Sequence, residues 1–505
     1  MKGADDMTCT DTGNGYPARA LAGAKEKGAY YTPDEVVRSL LRWAVHSEDD
    51  RLLDPSCGDG RFIAGHSKSV GIEQDPLASA AAMRRAPGAL VHEGDFFAWA
   101  GSTEERFECA AGNPPFIRYQ RFKGPVRKRA LELCGALGAS FSALSSSWPL
   151  FLVVTGHLLH PDGRMAFVVP AEIGHAPYSA PLIEFLAGCF SRVQVVAVKE
   201  KLFPELSEDC WLLYADGKGG STATIDFSAL ERFVFRETPP PVTARIALGT
   251  WKTVWNRRLR PFLMPKAGRD LYEGLATGDG SLRLGSLAHI NIGYVSGAND
   301  FFHLRQSEAR QLGIPDACLQ PTVRNARALP PARVNSSTVR RWLREDRQTL
   351  LLRLDKDQEL PGPVHAYLST ERAKEISGGY KCRTRDPWYV VPDVKIPDYF
   401  LTYMSGRRVS LVQNSARCAC TNSLHAVRLK DKAAIPQIRR IRRSPLFQLS
   451  CEIEGHPLGG GMLKLEPREA CNILIPSEKA LAGTEQQTIR DGIAALQGWR
   501  HYEAA

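Results

Sequence analysis

The sequence reads as an α/β protein: an open, mostly parallel sheet with helices on both faces, followed by a second domain of mixed α+β character. Three observations point there. The chain has 505 residues, more than one ordinary core accommodates. Within residues 51–116, four short apolar runs each end in glycine or a polar residue, as in a parallel sheet whose strand ends line one crevice. The charge also divides: residues 251–505 carry 39 Lys and Arg against 25 Asp and Glu, net +14, whereas the remainder carries 26 against 30, net −4. A basic half joined to an acidic one is expected to meet a polyanion.

Composition bounds the class. With 43% apolar and 24% charged residues the chain is globular in character. No apolar run approaches the ~18 to 20 residues of a membrane helix. The opening stretch is polar and glycine-rich, without the apolar core of a signal peptide, and residues 1–24 read as a disordered lead-in. The 12 cysteines are scattered; the nearest two, Cys418 and Cys420, form no C-x-x-C pair. That argues against a zinc knuckle and a secreted disulfide framework, so no metal site, reduced thiols and a cytoplasmic setting are expected.

Taken in order, "KGAYYTPDEVVRSLLRWAV" begins a helix. Thr32 is placed as N-cap, Pro33 as the first helical residue and Glu35 as the far end of a capping box. Val36, Val37, Leu40, Leu41 and Ala44 then recur at helical spacing. The two tyrosines before them, Tyr30 and Tyr31, either border a ligand crevice or staple the helix. "RLLDPSCGDGRFIAG" (51–65) gives a strand at Leu52 and Leu53, then a loop with Gly58 and Gly60 that allows close backbone approach to a ligand. "SVGIEQD" (69–75) is a second strand ending in Glu73, an acid placed to accept hydrogen bonds from ribose hydroxyls. A third, "ALVHEGDFFAW" (89–99), puts Asp95 and Phe96 at its end, where Asp95 also suits a helix N-cap. "CGDGRF" stands where a dinucleotide site would have G-x-G-x-x-G. A nucleoside ligand without phosphates, such as S-adenosylmethionine, is therefore expected.

The fourth strand runs into "AAGNPPFIRYQ" (110–120). Two consecutive prolines forbid helix and remove two N–H donors, leaving a stiff turn with an amide before it and an aromatic ring after it. Asn113-Pro114-Pro115-Phe116 matches the [DNS]-P-P-[YFW] tetrad of amino-methyltransferases. With "GAYYTP", "LLDPSCGDGRF", "GIEQD", "EGDFF", "GNPPF" and "FLVVTGHLLHPDGRMAFVVP" in that order, the chain resembles gamma-class N6-adenine DNA methyltransferases of the TaqI-like kind. The resemblance is detailed over about residues 25–215.

The resemblance implies a Rossmann-like class I methyltransferase domain over 25–240 and a DNA target-recognition domain over 250–500. It implies S-adenosylmethionine as methyl donor and N6 of a flipped-out adenine in duplex DNA as acceptor. Asn113 and Pro114 would accept hydrogen bonds from N6–H, drawing the nitrogen toward sp³ character, while Phe116 would stack on the base. Phe203, in "EKLFPELSEDC", would form the second wall. Tyr31, Thr32, Ser56 and Gly58 would border the cofactor, with Asp54 at its methionine end, Glu73 at its ribose, and Asp95 and Phe96 at its adenine. An RNA or protein-glutamine methyltransferase would share the tetrad but would not need a basic C-terminal half. Cytosine-C5 transfer is disfavoured, since no Pro-Cys dipeptide supplies a nucleophile.

In the second half, the proline-rich "RETPPPVTARIALG" (236–249) reads as the linker. "LGSLAHINIGYVSGANDFFHL", "CTNSLHAVRL" and "GGGMLKLEPREACNILIP" resemble, more loosely, the recognition domains of the same class. In "GGYKCRTRDPWYVVP" arginines interleave with Trp388 and Tyr389, a pattern suited to phosphate and base-edge contacts. The run "RRIRR" (439–443) is either a helix face on DNA or a solvated face. About 25 residues precede the first helix, too few for a nuclease domain. The expectation is a monomeric modification enzyme, solitary or paired with a separate restriction endonuclease.

Overall fold

The computed structural model describes residues 32–204 and 208–502, which form two compact units divided between Leu259 and Arg260. Tyr31 and the expected lead-in over 1–24 lie outside the described residues.

The first unit is built on one nine-stranded sheet. Its strands are β1 (Leu52–Asp54), β2 (Ser69–Glu73), β3 (Leu90–Glu93), β4 (Phe107–Gly112), β5 (Leu159–Pro170), β6 (Phe190–Val198), β7 (Cys210–Lys218), β8 (Thr224–Leu230) and β9 (Ala244–Ala247). The spatial order is β3-β2-β1-β4-β5-β7-β6-β8-β9. From β3 to β5 all neighbours are parallel; β7 runs antiparallel to both β5 and β6, and β9 antiparallel to β8. The sheet is thus mixed and mostly parallel, as the alternation of apolar runs and helices predicts. Strand order reverses between β1 and β4, and at such a reversal the carboxyl ends of the strands open onto a crevice.

Helix α1 (Asp34–Ala44) covers part of one face. Val36, Val37, Leu40, Leu41 and Ala44 are all buried, in a cluster with Leu52, Cys109, Ala111, Ala166 and Val168 from β1, β4 and β5. The 3.6-residue spacing of those apolar positions is what lets one helix face reach three strands. The helix starts later than its sequence predicts. Pro33 is the N-cap, its carbonyl accepting from the Val36 and Val37 N–H groups, and no side chain caps the end. Thr32 is therefore not the cap, and its hydroxyl is released for another partner.

The remaining helices near the crevice are α2 (Pro76–Arg85), α3 (Phe96–Ala100), α4 (Gly124–Ala136) and α5 (Trp148–His157). Asp75 caps α2, accepting from the Leu77 and Ala78 N–H groups. Gly60, at φ +87°, allows the loop after β1 to lie on that helix: a Cβ there would come within 2.8 Å of the Ala82 Cα.

The proline-rich stretch is not a linker. The Pro240 and Pro241 carbonyls accept from the buried side chains of Gln194 and Ser228, and the chain continues directly into β9 on the sheet edge. Proline carbonyls are ordinary acceptors even where the ring removes the donor, so a composition typical of a linker here serves a packed connection.

The second unit is mixed α+β. A five-stranded sheet places strands Ala288–Ile292 and Leu424–Leu429 side by side, joining two stretches that share the recognition-domain pattern. The unit also holds four-, three- and two-stranded sheets, and its longest helices are Lys266–Thr277, Pro445–Glu454 and Gln486–Trp499. The carboxylate of Glu452, wholly buried, meets the guanidinium groups of Arg500 at 2.9 Å and Arg260 at 3.4 Å, with Gln497 Nε2 at 3.1 Å.

Trp388 and Tyr389 are packed inward. The Trp388 ring lies 5.8 Å from Phe301 in an apolar cluster, and Arg385 donates to the Val295 and Ser296 carbonyls at 2.8 Å. These contacts tie the stretch to the domain core, with Trp388 and Tyr389 half-buried and Arg383 exposed. Among the described residues no helix is long and apolar enough to cross a membrane, no group of His, Cys, Asp or Glu could hold a metal, and all cysteines are free.

Candidate active site

The carboxyl ends of β1, β2 and β4 bring the acidic and amide candidates to one crevice. Asp54 ends β1 with its carboxyl 1% exposed. Burial raises its pKa to about 8, against one hydrogen bond from the Ser56 N–H at 3.1 Å, with the nearby Glu73 charge adding to the rise. β4 approaches this carboxyl so closely that a Cβ on Gly112 would stand 2.6 Å from its Oδ1. Glycine at the residue before Asn113 is what permits that approach.

Glu73, at the end of β2, has both oxygens held. The Gly58 N–H donates to Oε2 at 2.9 Å and the Asp75 N–H to Oε1 at 2.7 Å. Gly58 itself sits at φ +56°, with nothing within 4 Å of where its Cβ would be. The glycine loop is thereby tied to the acid of the next strand. Burial raises the Glu73 pKa, partly offset by these backbone donors.

Asn113 follows β4 across the reversal point. Its Nδ2 donates to Thr32 Oγ1 at 3.2 Å, and its backbone carbonyl lies 3.4 Å from Ser56 Oγ. Thr32, 3% exposed, is itself held by Arg61, whose Nη1 donates to the Thr32 carbonyl at 3.3 Å. Pro114 is buried; Pro115 and Phe116 are half-buried.

A residue invisible to motif reading locks the tetrad. Ser147, wholly buried, accepts from the Ile117 N–H at 3.0 Å and donates to the Pro115 carbonyl, while its own N–H donates to the Ile117 carbonyl at 3.0 Å. Trp148 beside it donates to the Tyr178 hydroxyl at 3.3 Å, which donates in turn to Glu172. Ser147 closes the run Ser145-Ser146-Ser147, and nothing in that run singles it out.

Other expected residues are placed differently. Asp95 is the N-cap of α3, accepting from Phe97 and Ala98, and pairs with Arg129 at 2.7 Å. Phe96 is 3% exposed, its ring stacked on Phe151 at 5.3 Å between centroids. It packs among the rings of Phe97, Trp99 and Phe151. Phe203 is 7% exposed and belongs to the same apolar cluster against which Phe116 packs. The two aromatics therefore share a neighbourhood, but Phe116 alone keeps an appreciable exposed surface.

Residues 18–81 match the N-6 DNA Methylase family, and residues 256–497 match the C-terminal domain of Type II methyltransferase M.Eco57I. The chain is an adenine-specific DNA methyltransferase. Among curated relatives, Type II methyltransferase M.XamI of Xanthomonas campestris pv. amaranthicola is 25% identical, over 90% of this methyltransferase and 86% of that protein. Type II methyltransferase M.AccI of Acinetobacter calcoaceticus is 17% identical, over 83% and 78% respectively. Among solved structures, the type IIG restriction endonuclease BpuSI aligns at 15% identity and a TM-score of 0.46, and this methyltransferase spans 62% of it.

S-adenosylmethionine is the methyl donor of this family. The crevice fits it. The buried Asp54 carboxyl suits a cationic methionine end, and the Glu73 carboxylate, held between two backbone donors, suits a diol.

Proposed function

We propose that this methyltransferase modifies N6 of an adenine flipped out of duplex DNA, in the manner of the gamma class, as the modification enzyme of a restriction–modification system. The observation that carries the reading is the placement of Asn113-Pro114-Pro115-Phe116 at the carboxyl end of β4, across the strand reversal from Asp54 and Ser56. The donor and the acceptor atom would meet over that reversal.

The donor supplies an electrophilic methyl group when bound. The Asn113 side-chain oxygen and the Pro114 carbonyl accept from the two N6–H groups, turning the nitrogen lone pair toward the methyl. The two prolines and the Ser147 clamp keep both acceptors fixed before substrate arrives, so little reorganisation is needed. Bound S-adenosylmethionine would supply that methyl group to N6, its sulfonium leaving as a neutral thioether and the surplus N6 proton passing to solvent. Phe116 offers its ring face to the extruded base. Asp54 and Glu73 hold the methionine and ribose ends of the donor. The first unit would perform the chemistry and the basic second unit would hold DNA, in a cytoplasmic setting where a separate endonuclease cuts the same site.

The test is methyl transfer from labelled S-adenosylmethionine to duplex DNA, RNA and protein acceptors, followed by mapping of the modified base. N6-methyladenine in duplex DNA is expected. An Asn113→Ala variant should lose about 10²- to 10³-fold or more in transfer while still binding the donor. Near-normal turnover by that variant would sink the assignment.

A further inference from the structure

The second unit carries a cleft that motif comparison does not assign. It encloses about 600 Å³ and is lined by Arg407, Arg408, Arg443 and Arg490, with Phe447 and Ile493 among its apolar walls. No lining residue is acidic. All four arginines are exposed, and no carboxylate or hydrogen-bond acceptor engages any of their guanidinium groups among the described residues.

What sets the cleft apart is clustering. Some arginines of the unit pair with acids, as Arg440 with Glu478 at 2.6 Å, Arg347 with Glu345 at 2.6 Å and Arg324 with Asp300 at 3.3 Å, and others such as Arg310, Arg327, Arg340 and Arg468 do not line this concavity. The run "RRIRR" is itself divided in this way. Arg440 is neutralised by Glu478, Arg442 donates to the Ala332 carbonyl at 3.1 Å, and Arg443 turns into the cleft. Residues 401–450 hold ten basic residues and one acid, Asp431, and three of the four cleft arginines come from that stretch. Four like charges around one concavity repel one another, and an anion relieves that repulsion.

A second feature points the same way. The helix Pro445–Glu454 opens at the cleft, its N-cap Ser444 and first residue Pro445 both lining it. The positive end of a ten-residue helix therefore adds to the arginine field. Gln448 and Gln497 line the cleft as well, as neutral hydrogen-bonding amides.

We infer that this cleft binds consecutive backbone phosphates of a DNA strand, anchoring the duplex independently of its sequence. The inference rests on the DNA-modification reading above and names the part of the second unit that would supply non-specific affinity. Exposed guanidinium forks without acidic competitors suit phosphate oxygens, whereas the Gln448 and Gln497 amides are already engaged by the Val409 N–H, Glu452 and the Arg407 carbonyl.

The experiment uses the full chain. Arg407, Arg408, Arg443 and Arg490 are changed together to Gln, and in a second variant together to Lys. Binding to a labelled mixed-sequence duplex is titrated over a series of salt concentrations. The Gln variant should flatten the slope of log affinity against log salt by about 3 to 4 units, since each phosphate contact contributes roughly 0.9. The Lys variant should keep most of the slope, which shows that charge and not folding is at issue. A control with Arg310, Arg327, Arg340 and Arg468 changed to Gln should flatten it by about one unit at most. Donor binding by calorimetry should be equal in all four proteins.

An unchanged slope in the cleft Gln variant, or an equal loss in the control, overturns the inference. So does stabilisation of the wild type by inorganic phosphate with no loss of DNA slope in the Gln variant, which would make the cleft a small-anion site. Methyl transfer by the wild type to duplex DNA, measured alongside, separates failure of the cleft from failure of the functional reading.

Discussion

The hydroxyl of Thr32 accepts a hydrogen bond from Asn113 Nδ2 at 3.2 Å, across 81 residues of sequence. The contact ties the segment before α1 to the tetrad after β4. By engaging the amide nitrogen it sets the rotation of the Asn113 side chain and hence the direction of its oxygen. An acceptor aimed in advance is worth more to N6 activation than one that must turn on binding.

Thr32→Val should therefore lower kcat roughly fivefold to tenfold, the loss of one net hydrogen bond of about 1 kcal/mol, with KM for the donor little changed. Thr32→Ser, which keeps the hydroxyl, should retain most of the rate. Steady-state kinetics on the three proteins decides it. An unchanged kcat in Thr32→Val would mean that the prolines alone fix the amide.

Ser147 offers a sharper contrast, because its neighbour provides the control. Ser147→Ala strips partners from the Pro115 carbonyl and the Ile117 N–H and should cost about 1 to 3 kcal/mol of stability, with a larger loss in transfer rate. Ser145 is also buried, yet its hydroxyl has no hydrogen-bond partner among the described residues. Ser145→Ala should behave as wild type in both denaturant unfolding and single-turnover transfer.

Donor binding should depend on pH through Asp54. Burial raises its pKa from 3.8 to about 8, so without ligand the carboxyl is largely protonated below that value. A cationic ligand favours the carboxylate and must displace the proton first. Affinity should therefore rise with pH and level off above about 8, falling by up to about tenfold per unit below it. Calorimetry in buffers of different ionisation enthalpy should show proton release near neutrality. Asp54→Asn should bind more weakly and remove most of the pH dependence; a wild-type affinity that is flat across this range would contradict the assignment.

In the second unit, Glu452→Ala should strip the buried Arg500 of its carboxylate partner and cost about 3 to 5 kcal/mol. Calorimetric unfolding should show the transition of that unit lowered, while the transition stabilised by S-adenosylmethionine stays where it is. A shift of the ligand-stabilised transition instead would place the triad's influence elsewhere.

Much of the first unit was legible in the sequence because its signals are local. The 3.6-residue spacing of Val36, Val37, Leu40, Leu41 and Ala44 determined the buried face of α1, and the apolar runs with polar ends determined β1, β2 and β4. The stiff tetrad and the acids Asp54 and Glu73 stood out because the chemistry needs those residue types at strand ends. The tertiary structure decided what depends on partners distant in sequence. Thr32 looked like a helix cap until Pro33 took that place and its hydroxyl turned to Asn113. Phe96 went to the core because Phe151, on another helix, supplied a ring to stack on. Pro240 and Pro241 took hydrogen bonds from Gln194 and Ser228 where composition alone suggested a linker. Net charge foretold a basic second half, but which arginines remain without an acid depends on where each carboxylate lies after folding. Spacing along a chain fixes which face a residue occupies, whereas a hydrogen bond or ion pair is fixed only when the second partner arrives from another element.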